Sequence, residues 1–387
     1  MNQIGFPVNV DREIDLSKEL TKKSLRRDSS LDYNEYIVSD NWKWGDDERY
    51  TFATGYVRAI EHRLIPNDRF IRLADARGTE EIMTMLGDTD YGKGYQDELV
   101  LMAGANAGEI NVGQVIRQEA KRVKKFIEDL TRDRDQTDCL FVRDDYVNLK
   151  LSLKGMYGNV PVQDSLAPLG LVDPMLIYQE VGDAEKSELL PRHLKDAAVL
   201  AIKAYNETKN PAEIDRVVDA MMFEYILDQT MRSEVFFTNK LIMLEIDLTN
   251  IITFFRIKWV GESLSSLQSA LIRGGRIPLD VYHEFFPREI DDIETVFLSD
   301  EVYSGFVSEG VQHLKNEISF VGMEALIDRE LMKVINCEKE VNYGVEVLIA
   351  YYYKKSIEMK RLRTIIIGKE NGLSAQQIKA RLGYVGQ

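Results

Sequence analysis

Two aspartates of this chain are each followed, three positions later, by an asparagine within an apolar helical pattern: Asp145 with Asn148, and Asp247 with Asn250. Residues three apart lie on one face of a helix, so each pair offers a carboxylate and an amide that could bind a metal ion or a polar substrate. A buried pair of this kind can also bond neighbouring helix ends and fix their register. A repeated catalytic site would need a repeated base or nucleophile beside it, and none recurs, so the sequence favours the structural role.

A third copy of the pattern argues further against a metal site. It carries Glu358 in place of the aspartate and Arg361 in place of the asparagine. Arginine stays positively charged, so a cation site would not tolerate it at a ligand position; on a helix it can pair with Glu358 instead. We assign no catalytic, cofactor-binding or metal-binding residue, and we predict six repeated structural positions: Asp145, Asn148, Asp247, Asn250, Glu358 and Arg361.

The three copies share their apolar spacing. Positions one, four and eight after each acid are apolar or aromatic, as expected for one face of a helix. They are Tyr146, Leu149 and Leu153, then Leu248, Ile251 and Phe255, then Met359, Leu362 and Ile366.

Neighbouring segments repeat as well. Ile214-Asp215-Arg216 precedes the second copy, and Ile327-Asp328-Arg329 precedes the third. The turn Gly274-Gly275-Arg276-Ile277-Pro278 resembles Gly170-Leu171-Val172-Asp173, and Gly372-Leu373-Ser374 gives a third version in which Ser374 is predicted to cap the next helix. The repeats therefore look like whole multi-helix units.

This repetition predicts three similar helical modules, at residues 50–165, 166–274 and 275–387, after an N-terminal extension at residues 1–49. No pair of strands is apparent, so we predict an all-α protein. Bodies built by repetition are usually frames or adaptors rather than single-pocket catalysts. The predicted helices cover 50–64, 70–86, 115–130, 138–156, 189–205, 214–230 and 235–259, with breaks near 87–94 and 104–113.

Composition excludes several classes of protein. The chain has 387 residues and a net charge of −15, which argues against nucleic-acid binding and fits either a basic protein partner or solubility alone. Its two cysteines are too few for a disulfide framework, so a reducing cytosol is expected. The N-terminus lacks the features of a signal peptide, and no apolar run is long enough to span a bilayer directly.

One enzymatic alternative rests on acidic segments. The stretches 143–148 and 291–294 faintly resemble the acidic helices that hold magnesium and diphosphate in all-α isoprenoid synthases. Such sites need two facing clusters of carboxylates. The first stretch ends in an asparagine and the second follows Pro287 in a loop-like region, so the sequence disfavours this enzyme.

Several segments resemble a known family. The segments 56–64 and 245–251, and 358–363 with the following 368–373, are similar to the C subunit of the V/A-type ATPases, whose counterpart in vacuolar proton pumps is the d subunit. The resemblance runs from about residue 50 to the C-terminus.

The resemblance implies a non-catalytic, all-helical, funnel-like body of three similar modules in pseudo-threefold arrangement, with no cofactor. It implies a place on the cytoplasmic side of the membrane, where the protein joins the D and F subunits of the central stalk to the proteolipid rotor ring. ATP hydrolysis or synthesis is thereby coupled to proton or sodium transport. Besides the isoprenoid enzyme, the alternative to this rotary ATPase subunit is a generic all-α repeat scaffold of another complex.

Overall fold

The computed structural model describes residues 46–103, 112–232, 236–290, 303–317 and 320–384. These ranges form α-helices joined by turns and short 3-10 helices, and they contain no strand, so the prediction of an all-α protein is confirmed. The helices are α1 Thr51–Ile60, α2 Asn67–Asp75, α3 Thr79–Met85, α4 Asp90–Ala103, α5 Val112–Leu130, α6 Asp138–Gly158, α7 Pro174–Glu180, α8 Arg192–Thr208, α9 Ala212–Arg232, α10 Phe236–Val260, α11 Leu264–Ala270, α12 Leu279–Phe285, α13 Ser304–Glu317, α14 Val321–Ile335, α15 Val345–Glu370 and α16 Ala375–Arg381.

Three long helices, α6, α10 and α15, each carry one copy of the repeated pattern. All nine apolar positions of the three copies are buried, with side chains at most 6% exposed. The sequence prediction that these positions form a core-facing stripe is therefore confirmed. Their burial holds the acidic residue of each copy inside the protein as well, because it lies next to the stripe.

Helix α10 is buried on more sides than its apolar stripe predicts. Besides the stripe residues, Ile242, Ile246 and Phe254 are buried on other faces. Trp259, the last residue of the helix predicted at 235–259, is instead 42% exposed. A helix that is apolar on all sides lies in the centre of a protein, and neighbours on several sides cover α10: α9, α11 and α14.

Each long helix also packs against a helix from a distant part of the chain. Helix α6 packs against α9, α10 against α14, and α15 against α5. Ion pairs cross two of these contacts: Lys154 bonds Asp215 at 2.6 Å, and Arg256 bonds Glu324 at 2.6 Å. Each of the first two long helices thus contacts a helix further along the chain, and the last, α15, contacts a helix in the first part of the chain.

The beginning and the end of the described chain share one hydrophobic core. Residues of α2 to α5, including Phe70 and Ile82, pack in the same cluster as Leu362 and Ile365 of α15 and Ile378 of α16. Phe70 and Leu362 are 292 positions apart in sequence, so this core cannot form from local contacts alone.

Two predicted helix boundaries near the N-terminal end were wrong. The run 70–86 is two helices, α2 and α3, because the chain turns at 76–78, where the N–H of Arg77 donates to Glu81 at 2.8 Å. The predicted break at 87–94 is mostly helix, since α4 begins at Asp90. Gly92 is needed there for close packing: a Cβ atom would lie 2.4 Å from the Cα of Gly87.

A buried ion network fixes α15 against α4 and α5. The Lys355 ammonium, 1% exposed, bonds Glu358 at 2.7 Å and Glu119 at 2.8 Å. Burial alone lowers the pKa of Lys355, but the two carboxylates outweigh it and raise the pKa above its usual value. Glu119 in turn bonds Arg122 at 2.7 Å. Every charge in this network has a partner, as a low-dielectric interior requires.

A second network joins α15 to the first helix. Lys354 bonds Glu61 at 2.7 Å and Glu338 at 2.6 Å, and Arg58 of α1 contacts both carboxylates. The side chain of Glu338 is fully buried. Adjacent lysines of α15 therefore bind different parts of the N-terminal region.

We expect Lys355→Met to lower the free energy of unfolding by about 3–5 kcal/mol, because it leaves the buried Glu358 and Glu119 without their shared cation. Lys360→Met on the same helix is the matched control. Lys360 is 61% exposed and bonds Asp328 at 2.8 Å, so its loss should cost less than about 1 kcal/mol. Urea unfolding monitored by circular dichroism measures both, and equal costs would contradict the assignment of the network as buried.

Candidate functional site: three carboxylate clamps

The first acidic position, Asp145, binds two consecutive backbone N–H groups of the turn before α7. Leu171 donates to Oδ2 and Val172 donates to Oδ1, both at 3.0 Å. We call this arrangement, a buried helix carboxylate holding the backbone of a turn, a carboxylate clamp. Each carboxylate oxygen accepts one bond, so the side chain fixes both the position and the orientation of the turn.

Asn148, one turn further along α6, binds the same loop at a second point. Its amide nitrogen donates to the carbonyl of Ala167 at 2.8 Å, and its oxygen accepts from the Ala167 N–H at 2.7 Å. The Asn148 side chain thus bonds both the backbone N–H and the backbone carbonyl of Ala167. Asp145 and Asn148 together hold the loop at two places.

The second copy repeats this geometry on α10. Asp247 accepts from Arg276 N–H at 2.9 Å and from Ile277 N–H at 3.1 Å. Asn250 donates to the Ile272 carbonyl at 2.7 Å and accepts from its N–H at 2.8 Å. The second clamp has one additional donor, the Tyr303 hydroxyl, at 2.5 Å from Asp247.

A glycine lies against the carboxylate in each of these two clamps. A Cβ atom on Gly170 would lie 1.9 Å from Oδ1 of Asp145, and one on Gly275 would lie 2.0 Å from Oδ1 of Asp247. Only glycine lets the backbone approach this closely. The glycines shared by the two turns in the sequence are therefore part of the clamps.

The third clamp binds the other end of the chain. Glu358 accepts from the Ile65 N–H at 2.6 Å, across a sequence separation of 293 residues. The first two clamps reach forward by only 27 and 30 residues. Glu358 also accepts from Lys355 at 2.7 Å and from the Tyr91 hydroxyl at 2.8 Å. The longer glutamate therefore has one backbone donor, where each aspartate has two.

One expectation for the third copy differs from the structure. Arg361 is not the partner of Glu358; it donates to Asn67 at 2.7 Å and stacks over Phe70. Lys355 reaches Glu358 from the preceding turn, so Arg361 is directed to the start of α2. Ser374 caps α16 as predicted, with a reciprocal bond to Gln377.

The sequence does carry a signal for the third partner. The residues bound by the three acids, Val172, Ile277 and Ile65, are β-branched and lie one or two positions before a proline. Proline favours the first turn of a helix and restricts the residue before it to extended backbone. Helices α7, α12 and α2 begin at or just after these prolines.

The first two clamp carboxylates are electrostatically unusual. Burial raises the pKa of Asp145 to about 6, although the backbone N–H groups of Val172 and Leu171 partly oppose the rise. Burial likewise raises the pKa of Asp247 to about 6, against the Tyr303 hydroxyl and the N–H groups of Arg276 and Ile277. In both cases the penalty on a buried charge outweighs the hydrogen bonds that favour it.

The clamp geometry is that of a structural joint. Each carboxylate oxygen of Asp145 and Asp247 already accepts at least one hydrogen bond from the protein itself. In the part of the chain that the structure describes, no three His, Cys, Asp or Glu side chains are grouped as metal ligands are. The acidic stretch 291–294 lies outside the described residues. Among the helices described, none has both the length and the apolar character to cross a bilayer.

A pH titration tests the electrostatics of the first clamp. The folded-state pKa of Asp145 exceeds the usual value of about 4 for an unfolded chain, so the folded protein binds more protons between about pH 4 and 6. The stabilisation of the folded state that comes from the raised pKa of Asp145 is complete below about pH 4, and it is lost as the pH rises through 6. The advantage of the wild type over Asp145→Asn should therefore fall between pH 4.5 and 7, by about 2 kcal/mol.

Unfolding free energies from urea titrations at the two pH values give this difference. Asp164→Asn, at an exposed aspartate, controls for the loss of one negative charge. A wild-type advantage that grows with pH would mean that the N–H donors outweigh burial, and would contradict the raised pKa of Asp145.

Comparison with known proteins identifies the family. A family model described as "ATP synthase (C/AC39) subunit" matches residues 53–381. The C subunit of the A-type ATP synthase of Methanosarcina mazei is 26% identical over 366 residues, covering 89% of this chain and 95% of that protein. The C subunit of the A-type ATP synthase of Desulfurococcus sp. is 24% identical over 358 residues, covering 89% and 92%.

A third relative matches over a shorter stretch of the chain but at a higher sequence identity. The C subunit of the V-type sodium ATPase of Enterococcus hirae is 31% identical over 140 residues, which cover 36% of this chain and 42% of that protein. Because the family model spans most of the sequence, the resemblance stated from the sequence is confirmed. The chain belongs to the ATP synthase (C/AC39) subunit family, whose members are structural rather than catalytic subunits of rotary ATPases.

Proposed function

We propose that this chain is the collar of the central rotor, which joins the D and F subunits of the stalk to the membrane ring of proteolipid subunits on the cytoplasmic side. Through it, ATP hydrolysis or synthesis is coupled to proton or sodium transport. The family supports membership of a rotary ATPase. The observation that carries the collar role is the third clamp, because it ties the last long helix to the start of the folded chain.

Three modules, at 50–165, 166–274 and 275–387, form this collar in a pseudo-threefold, funnel-like arrangement. The order of helix packing supports the proposal: α6 of the first module packs on α9 of the second, α10 of the second on α14 of the third, and α15 of the third on α5 of the first. An open solenoid has no contact between its last and first repeats. Contacts that return to the first module favour closure about a central opening.

A collar that transmits torque must resist shear between its modules. Close-packed interiors compress little, and fully satisfied buried polar networks make a single arrangement more favourable than its neighbours. An ion pair between two part-buried side chains crosses the junction of α6 and α10. Arg143 of α6 bonds Glu245 of α10 through two contacts at 2.9 and 2.6 Å, which is the fork geometry that fixes orientation as well as distance. The six repeated positions serve the same purpose within this proposal.

Charge suggests how the stalk is bound. With a net charge of −15, the chain suits a basic foot of the stalk, and complementary charge speeds and orients association. Such a contact weakens as salt screens it.

Co-purification tests the proposal. Tagged full-length chain, isolated from its own organism at about 0.1 M salt, should recover the stalk subunits and the ring, and dissociation should become faster as salt is raised. An unrelated tagged acidic protein of similar size is the control. Recovery of neither the stalk nor the ring would refute the collar role, and recovery of a different complex would favour a generic scaffold.

A further inference from the structure

Helix α5 carries a basic stripe on its exposed face. Arg117, Lys121 and Lys125 are all exposed and follow one another at intervals of four residues. This spacing places them along one side of the helix, about 6 Å apart from one to the next. The stripe ends at Lys125, because the next residue at this spacing, Asp129, is exposed and acidic.

The stripe residues lack the partners that the other basic residues of α5 have. Arg122 bonds Glu119 at 2.7 Å and Asp90 at 3.1 Å. Lys124 donates to the Gly170 carbonyl at 2.7 Å. Within the described ranges, the basic stripe forms no ion pair at all, so its three charges are available to another molecule.

The helix that presents the stripe is held firmly. Its inner face, including Val115, Val123 and Ile127, is buried, and Glu119 is bound by Lys355 of α15. A charged surface on a fixed element loses less conformational entropy on binding than one on a loop. The stripe therefore has the properties of a preformed docking surface.

We propose that the basic stripe of α5 binds an acidic helix of a neighbouring subunit of the rotary complex. A partner helix with Asp or Glu at intervals of four residues matches the spacing of Arg117, Lys121 and Lys125. Gln114, one turn before Arg117 on the same face, is exposed and polar, and its amide can bond a side chain of such a helix.

Two other classes of partner fit less well. Helices that bind a membrane surface carry large apolar side chains along the same helix as their basic residues. Helix α5, which is described along its whole length, exposes none, and the exposed Phe52 and Tyr56 near its Phe126 belong to α1. Nucleic-acid binding draws on many phosphate contacts, whereas this stripe has three charges on a strongly acidic chain. The inference rests on the proposed function only in taking the partner to be a subunit of the same complex.

Charge reversal tests the docking surface. The triple variant Arg117→Glu, Lys121→Glu, Lys125→Glu should lose one neighbouring subunit from the co-purified complex, with affinity reduced at least about tenfold at low salt. The control triple Lys186→Glu, Lys203→Glu, Lys339→Glu makes the same change in net charge at exposed lysines elsewhere. Circular dichroism checks that both variants fold as the wild type does.

The partner segment is located by a photo-reactive amino acid in place of Gln114, cross-linked in the assembled complex and mapped by mass spectrometry. We expect a cross-link to an acidic helix, and reversal of the acidic residues of that helix to lysine should restore binding to the triple variant. Retention of every subunit by the triple variant would overturn the docking surface while leaving the collar role intact.

A lipid partner is tested with purified full-length chain and vesicles of phosphatidylglycerol. Flotation of the wild type but not of the triple variant would assign the stripe to a membrane surface and overturn the protein partner. Absence of flotation for both, together with the cross-link, is the result we expect.

Discussion

A buried carboxylate that holds backbone N–H groups sets the position of a helix relative to a distant segment at three places in the described chain. Such a group is costly to bury unless its oxygens are bonded, and the turn it binds has N–H groups that are equally costly to leave unpaired. The carboxylate oxygens and the N–H groups are both bonded only when the turn lies at one position along the helix. Asp145, Asp247 and Glu358 repeat this requirement on three long helices of the described chain.

The third carboxylate has a consequence that the other two do not. By binding Ile65 it joins the last long helix to the N-terminal part of the described chain, and the ion networks of Lys354 and Lys355 bind neighbouring parts of the same region. The shared core of α2 to α5 with α15 and α16 adds apolar burial to these polar contacts. Together they link the last long helix to the N-terminal part of the described chain, and this link supports the proposed collar role.

Much of this could be predicted from the sequence, because it follows from local spacing. The three long helices, the burial of their apolar positions and the absence of strands from the described residues all follow from helical periodicity. The polar partners could not be predicted so readily, because they depend on which distant segments meet. Helix spacing predicts an ion pair between Arg361 and Glu358. In the structure Lys355 forms that ion pair instead, because α5 packs against α15 and its Glu119 binds the same lysine. The glycines at 87–94 predict a helix break, but Gly92 lies within a helix and allows close packing against Gly87.

Native-state hydrogen exchange at the three bound amides tests the central claim most directly. If the clamps are joints of one cooperative body, the N–H groups of Ile65, Val172 and Ile277 should exchange only through global unfolding. Their exchange free energies should then agree with one another, and with the free energy of unfolding, within about 1 kcal/mol. Exchange of any of them as fast as that of exposed turn amides would contradict the account, since that clamp would open without unfolding the protein.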